Sequence, residues 1–173
     1  MRRLRYNVAA SLDGFIAGVT GDYDWIVQDS SIDFDALFAE FDLLVMGRKT
    51  YEVLKTQGDQ DPTLKRKVIV ASRTLASSDR EDVQIIGHDI VEKIAALKEQ
   101  PGKDIWLFGG GTLARTLFDA KLVDTVEVAV MPVVLSEGIP LLPPGRRVHL
   151  SLLSSASLAT GIQMLKYRAE YDA

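Results

Sequence analysis

From Leu4 onward, Leu4, Tyr6, Val8 and Ala10 alternate with Arg3, Arg5 and Asn7, the two-residue period of a half-buried strand. Asp13-Gly14 follows as a turn. Phe34, Leu37, Phe38 and Phe41 recur at helical spacing behind Ser30 or Ser31, either of which can serve as N-cap. The apolar run 43–46 predicts a strand closed by Gly47, and 48–57 a helix leaving its C-terminal end. Two further strands are expected at 67–72 and 83–86. Ile90, Ile94 and Leu97 put one stripe on a helix over 89–99, which Pro101-Gly102 ends. A buried strand, 104–108, runs into Gly109-Gly110-Gly111 and a helix over 112–122.

The tail changes character. Segments 125–135, 148–158 and 161–171 read as strands with no helix between them, the last two joined by a hairpin at Ala159-Thr160-Gly161. Alternating strands and helices followed by a β run predict an α/β fold, with a mixed, mainly parallel central sheet, flanking helices and C-terminal antiparallel strands. No repeat or linker divides residues 1–173, so one domain is expected. The loop 136–147 is rich in Gly and Pro yet apolar, and is expected to pack on something, a second subunit being one candidate.

Composition narrows the chemistry. The 173 residues include no cysteine and only two histidines, His88 and His149, far apart in sequence. This excludes disulfides, thiolate metal sites and a cysteine nucleophile, and makes metal chemistry improbable. An enzyme so equipped would borrow its reactive centre from an organic cofactor. The net charge of −4 gives no basic field for nucleic acid or an anionic membrane. No stretch of about 20 apolar residues is present to span a bilayer. A cytoplasmic protein is expected.

In open α/β sheets, ligands bind outside the C-terminal ends of the parallel strands. Three such ends carry unusual residues here: Gly47-Arg48-Lys49-Thr50, Ser72-Arg73-Thr74 and Gly109-Gly110-Gly111-Thr112. Glycines admit close approach of a pyrophosphate, and helix N-termini stabilise its charge. Thr50 and Thr112 add hydroxyl donors. Arg48 and Arg73 can fork onto a phosphate, and a 2′-phosphate on an adenosine ribose is the usual reason for such a pair. The Rossmann pattern GxGxxG is absent.

The segments ASLDGFIAG (10–18), MGRKTYE (46–52), VASR (70–73), LFGGGTL (107–113) and DTVEVAVMPVVLSEGIPLL (124–142) together resemble the dihydrofolate-reductase-like superfamily. Within it the chain is most similar to the reductase domain of riboflavin-biosynthesis deaminase/reductases and their stand-alone bacterial relatives. The resemblance implies a three-layer fold, an NADPH cofactor and a homodimer. It places Gly47, Arg48, Lys49 and Thr50 at the phosphates, and Ser72 and Arg73 at the 2′-phosphate. Gly109, Gly110, Gly111, Thr112 and Leu113 would lie along the pyrophosphate, with a cis peptide between the first two glycines. Ala9 and Ile16 would flank the nicotinamide, and Asn7, Val8, Asp13 and Trp25 would line the substrate pocket.

Two departures stand out. Dihydrofolate reductases carry a carboxylate shortly after the pocket tryptophan; five residues beyond Trp25 stands Ser30, with Asp29 and Asp33 nearby. The zinc deaminase half of the bifunctional enzymes needs cysteines that this chain lacks. The implied activity is hydride transfer from NADPH to a small heterocycle, the ribosylamino-pyrimidine of riboflavin synthesis first and a pterin second. A non-catalytic NADPH-binding protein is the alternative. Asp13 is either a turn former or a catalytic carboxylate, and the proton comes from it or from water.

Overall fold

Residues 1–171 are described by a computed structural model; positions 172 and 173 of the 1–173 domain lie outside the described residues. The elements are β1 (Leu4–Ser11), β2 (Phe15–Ala17), α1 (Phe34–Ala39), β3 (Phe41–Gly47), α2 (Arg48–Lys55), β4 (Val68–Ala71) and β5 (Val83–Ile86). They continue as α3 (Ile90–Glu99), β6 (Asp104–Gly109), α4 (Gly111–Asp119), β7 (Thr125–Met131), β8 (Ile139–Pro140), β9 (His149–Ser157) and β10 (Gln163–Glu170). Eight strands form one sheet in the order β5-β4-β3-β6-β1-β7-β10-β9. The pairings from β5 to β7 are parallel, and β10 pairs antiparallel with both β7 and β9. This is the expected mixed, mainly parallel sheet with an antiparallel C-terminal edge.

Each face carries its own core, which gives the expected three layers. On one, Ile94 of α3 and Leu113, Leu117 and Phe118 of α4 cover Leu4, Tyr6, Leu43, Val45, Ile105 and Leu107. On the other, Phe38 of α1 with Tyr51 and Leu54 of α2 covers Leu44, Met46, Val68, Val70 and Trp106. The half-buried reading of β1 is therefore corrected. Its second face is also covered at Arg5, which is only 2% exposed, because β1 lies mid-sheet with Glu127 beside it to pair the guanidinium.

Other expectations shift at element ends. Neither Ser30 nor Ser31 caps α1; Asp33 does, its carboxylate accepting from the Ala36 N–H at 2.9 Å, while Ser31 is held by Asp29. Phe41 belongs to β3, since the chain turns at Glu40 and the sheet recruits it. The last strands are shorter than 125–135 and 161–171, but the hairpin between β9 and β10 stands, with Gly161 at φ +91°. The short pair β2 and β8 forms a second antiparallel sheet that periodicity did not reveal, being too short for a pattern.

The loop 136–147 packs on its own domain. Leu141 and Leu142 lie against the α3/α4-side core, and the buried Tyr6 hydroxyl donates to the Leu141 carbonyl at 2.6 Å. No helix among the described residues is long and apolar enough to cross a membrane.

Candidate functional site

Strand order decides what the strand ends can do together. β4, β3, β6 and β1 are neighbours, so Ser72, Gly47, Gly109 and Ala10 form one continuous edge at the sheet's C-terminal rim. The glycine turns meet backbone to backbone: a Cβ on Gly110 would lie 3.4 Å from the Gly47 nitrogen. A Cβ on Gly109 would lie 3.2 Å from Thr50 Oγ1, and one on Gly111 would lie 2.6 Å from the Pro140 carbonyl oxygen. Gly110 itself has φ +98°. The cis peptide expected between Gly109 and Gly110 is corrected: all described peptide bonds are trans, and the positive φ of Gly110 makes the turn instead.

Two helices start from this edge, and neither has a side-chain cap. Gly47 is the N-cap of α2 and Gly110 that of α4. Their first-turn N–H groups are left for a ligand or water, and both dipoles favour negative charge at the same place. Arg48, Lys49 and Thr50 lie in the first turn of α2, and Thr112, exposed, and Leu113, buried, in that of α4. Arg48 closes onto Glu52 one turn along at 2.7 Å. Arg73 is exposed and has no partner among the described residues. The Ser72 hydroxyl accepts from the backbone N–H groups of Thr74 and Leu75, which fixes the turn carrying Arg73.

The nearby α1/α2 face of β1, β7 and β10 is a partly exposed strip of sheet, here termed the slot, on which Asn7, Ala9, Ala129 and Lys166 are half-buried. Asn7, Ala9 and Ser11 alternate away from Val8, whose side chain packs into the core of the opposite face and leaves only its backbone for a ligand. Ile16 on β2 packs against that opposite core as well. The segment after β2 borders the slot: Gln57 donates to the Tyr23 hydroxyl at 2.9 Å and Thr160 bonds Asp29 at 2.5 Å. Trp25, half-buried within this segment, donates its indole N–H to the Asp22 carbonyl.

The carboxylates here are each held by neighbouring donors. Asp13 accepts from the Ser11 hydroxyl and from the Leu135 and Ser136 N–H groups, which hold it below its ordinary range. Its geometry is that of a loop anchor. Asp29 is held at about 2 by the hydroxyls of Ser31 and Thr160. Burial pushes Glu127 up, but Arg5, Lys166 and Thr125 outweigh it and the carboxyl stays below its usual value. Asp61 is likewise structural, bound by Thr63 and Arg80.

Glu127 and Lys166 were not singled out from sequence. The available signal was a lone acid in the apolar run 125–131, which calls for a buried partner.

The RibD C-terminal domain model matches residues 2–164. The chain belongs to the RibD C-terminal domain family. The Bacillus subtilis (strain 168) protein YyaP is 32% identical over 178 residues, covering 96% of this chain and 94% of its own. The riboflavin biosynthesis protein RibD of Corynebacterium ammoniagenes is 25% identical over 148 residues; the match covers 78% of this chain but 44% of that protein. Among solved structures, a Shewanella sp. PV-4 protein described as a candidate riboflavin biosynthesis protein superposes with a TM-score of 0.85 at 25% identity, covering 99% of this chain and 100% of its own. This RibD C-terminal domain keeps the family's sheet, and in it the glycines that begin α2 and α4 meet at one edge.

Proposed function

We propose that the protein is an NADPH-dependent reductase of a small heterocycle, most similar in reaction to reduction of 5-amino-6-(5-phosphoribosylamino)uracil. One observation carries this: two helix N-termini without side-chain caps, α2 and α4, begin at glycines whose backbones touch across adjacent parallel strands. A pyrophosphate suits such a crown, because the first-turn N–H groups of both helices have no side-chain acceptor and both dipoles favour an anion there. NADPH bound there supplies a hydride from its nicotinamide. The chain's own part is to hold the phosphates with Gly47, Lys49, Thr50 and Gly109 to Leu113. Ser72 sets the turn that carries Arg73, which binds the adenosine 2′-phosphate. Ala9 lies against the reactive ring, and Asn7 and Trp25 orient the substrate on the slot. Water delivers the proton, since Asp13, Asp29 and Glu127 are each already engaged by donors of the chain itself.

The test is cofactor choice. Arg73→Ala is expected to weaken NADPH about tenfold, the loss of one exposed charge-assisted contact, while NADH binding stays as it was. Equal losses for both, or none, would remove Arg73 from the 2′-phosphate. NADPH oxidation on addition of a pyrimidine or pterin substrate separates a reductase from a protein that only binds the cofactor. Arg48 is expected to contribute less than Arg73, because it must first leave Glu52.

The homodimer has a surface that fits it. On the α3/α4 side, Val126, Val128 and Val130 of β7 and Leu165 and Tyr167 of β10 line a groove of about 300 Å³. Beside it Leu150 and Leu152 are 44% and 57% exposed. A continuous apolar face of this kind is what pairs in obligate dimers. Leu152→Glu is expected to convert a dimer to a monomer in sedimentation velocity; a wild-type protein that already sediments as a monomer would end this reading.

A further inference from the structure

On the slot, strand register sets three polar residues in a line. Asn7 of β1 stands opposite Glu127 of β7, and Glu127 opposite Lys166 of β10. The next row toward the strand ends is small and apolar, Ala9 beside Ala129 and then Met164. The two alanines are half-buried, while α1 and α2 pack farther along the sheet, over the residues of β3, β4 and β6. A flat ring laid on Ala9 and Ala129 would therefore turn one edge toward the polar row.

That row is not a set of independent side chains. Glu127 Oε1 takes hydrogen bonds from Arg5 and Thr125 and an ion pair from Lys166 at 3.2 Å; Oε2 accepts from Arg5 and from Asn7 Nδ2 at 3.3 Å. The carboxylate is saturated by these groups and has no capacity left for a ligand. Its effect falls on its two neighbours. With Nδ2 committed to Glu127, the Asn7 amide keeps its oxygen as an acceptor with no hydrogen-bond partner among the described residues. Lys166 spends one contact on Glu127 and keeps further N–H donors, with 31% of its side chain exposed. The slot thus presents an acceptor and a cationic donor, both oriented by one buried acid.

Resting on the reductase reading above, we propose that Lys166 and Asn7 are the specificity-determining pair of the substrate slot. They bind the lactam edge of a heterocycle, its ring carbonyl taking a hydrogen bond from Lys166 and its ring N–H donating to Asn7 Oδ1, with Glu127 as the positioning residue. A ring with alkylated nitrogens loses one half of the match and leaves the Asn7 oxygen unpaired, which is the strong form of discrimination.

The probes are lumazine and 1,3-dimethyllumazine, titrated by fluorescence into the full chain with and without NADP+. Lumazine is expected to bind about tenfold more tightly than its dimethyl analogue, the value of one well-placed hydrogen bond to a charged or buried group. Lys166→Met is expected to lose about the same factor for lumazine, and Lys166→Arg, which keeps a donor, to recover most of it. Melting temperature and NADPH affinity should be unchanged in both variants, which a merely structural lysine would not ensure. Lumazine binding that is absent, indifferent to methylation or indifferent to Lys166→Met overturns the pair. Lysine-dependent lumazine binding in a protein that fails to bind NADPH would overturn the cofactor site instead and leave the pair standing.

Discussion

Replacing Glu127 with alanine is expected to cost about 3 kcal/mol of stability, the lower end of what breaking a buried ion pair costs. For a chain of this size that corresponds to a fall in Tm of roughly 6–12 °C. Arg5 is the reason. Its guanidinium is 2% exposed, donates to both Glu127 oxygens at 2.7 Å and lies 4.5 Å from the Phe41 ring centroid. Without Glu127 it keeps Glu40 and Asp104, but Glu40 is half exposed and Asp104 reaches it only at 3.4 Å and also serves Arg3. The cost is that of an orphaned charge, so the paired change Arg5→Met with Glu127→Leu should return most of the lost stability. Thermal melts of the single and double variants measure this; a double variant no better than Glu127→Ala would place the loss elsewhere.

The same pair sets an acid limit. The folded carboxyl of Glu127 sits below its unfolded value, so its contribution is complete above the ordinary glutamate range and is lost as pH falls through the folded value. As pH falls below the ordinary glutamate range, wild type should therefore lose stability more steeply than Glu127→Ala.

Gly110→Val is expected to weaken NADPH about a hundredfold, by closing the space between two helix N-termini that act on one anion. The residue stands at φ +98°, and its Cβ would meet the Gly47 backbone nitrogen at 3.4 Å before the branched methyls are added. Backbone strain adds a stability loss of about 1–3 kcal/mol. Gly161→Ala separates the two effects. It also imposes a side chain at positive φ, +91°, but in the β9–β10 hairpin, so it should lower Tm and leave NADPH binding intact. Fluorescence titration with NADPH on both variants checks the contrast, and retained affinity in Gly110→Val would take the pyrophosphate away from these turns.

Much of this could be anticipated from residue order. Apolar runs at 43–46 and 104–108, each closed by glycine and followed by a helix, place Gly47 and Gly109 to Gly111 at strand ends. The helix-free tail after 125 likewise announces an antiparallel edge. Asp13 read equally as a turn former and as a catalytic carboxylate; in the fold it accepts from the Ser11 hydroxyl and the Leu135 and Ser136 N–H groups. Element ends were less legible, because Asp33 outcompetes two serines as a cap only once the chain after it is in place.

Sequence alone determined the elements, their order and the residues carried at each strand end, because periodicity and glycine punctuation are local properties. It could not say which strand ends are neighbours. Only the tertiary structure set β3 beside β6, so that two helix N-termini meet, and put Asn7, Glu127 and Lys166 in one row from three strands that are not consecutive in the chain. Arg5 shows the reason most plainly: its alternation marked it as a solvent-facing residue, and a buried glutamate on a strand 122 positions away made it part of the interior.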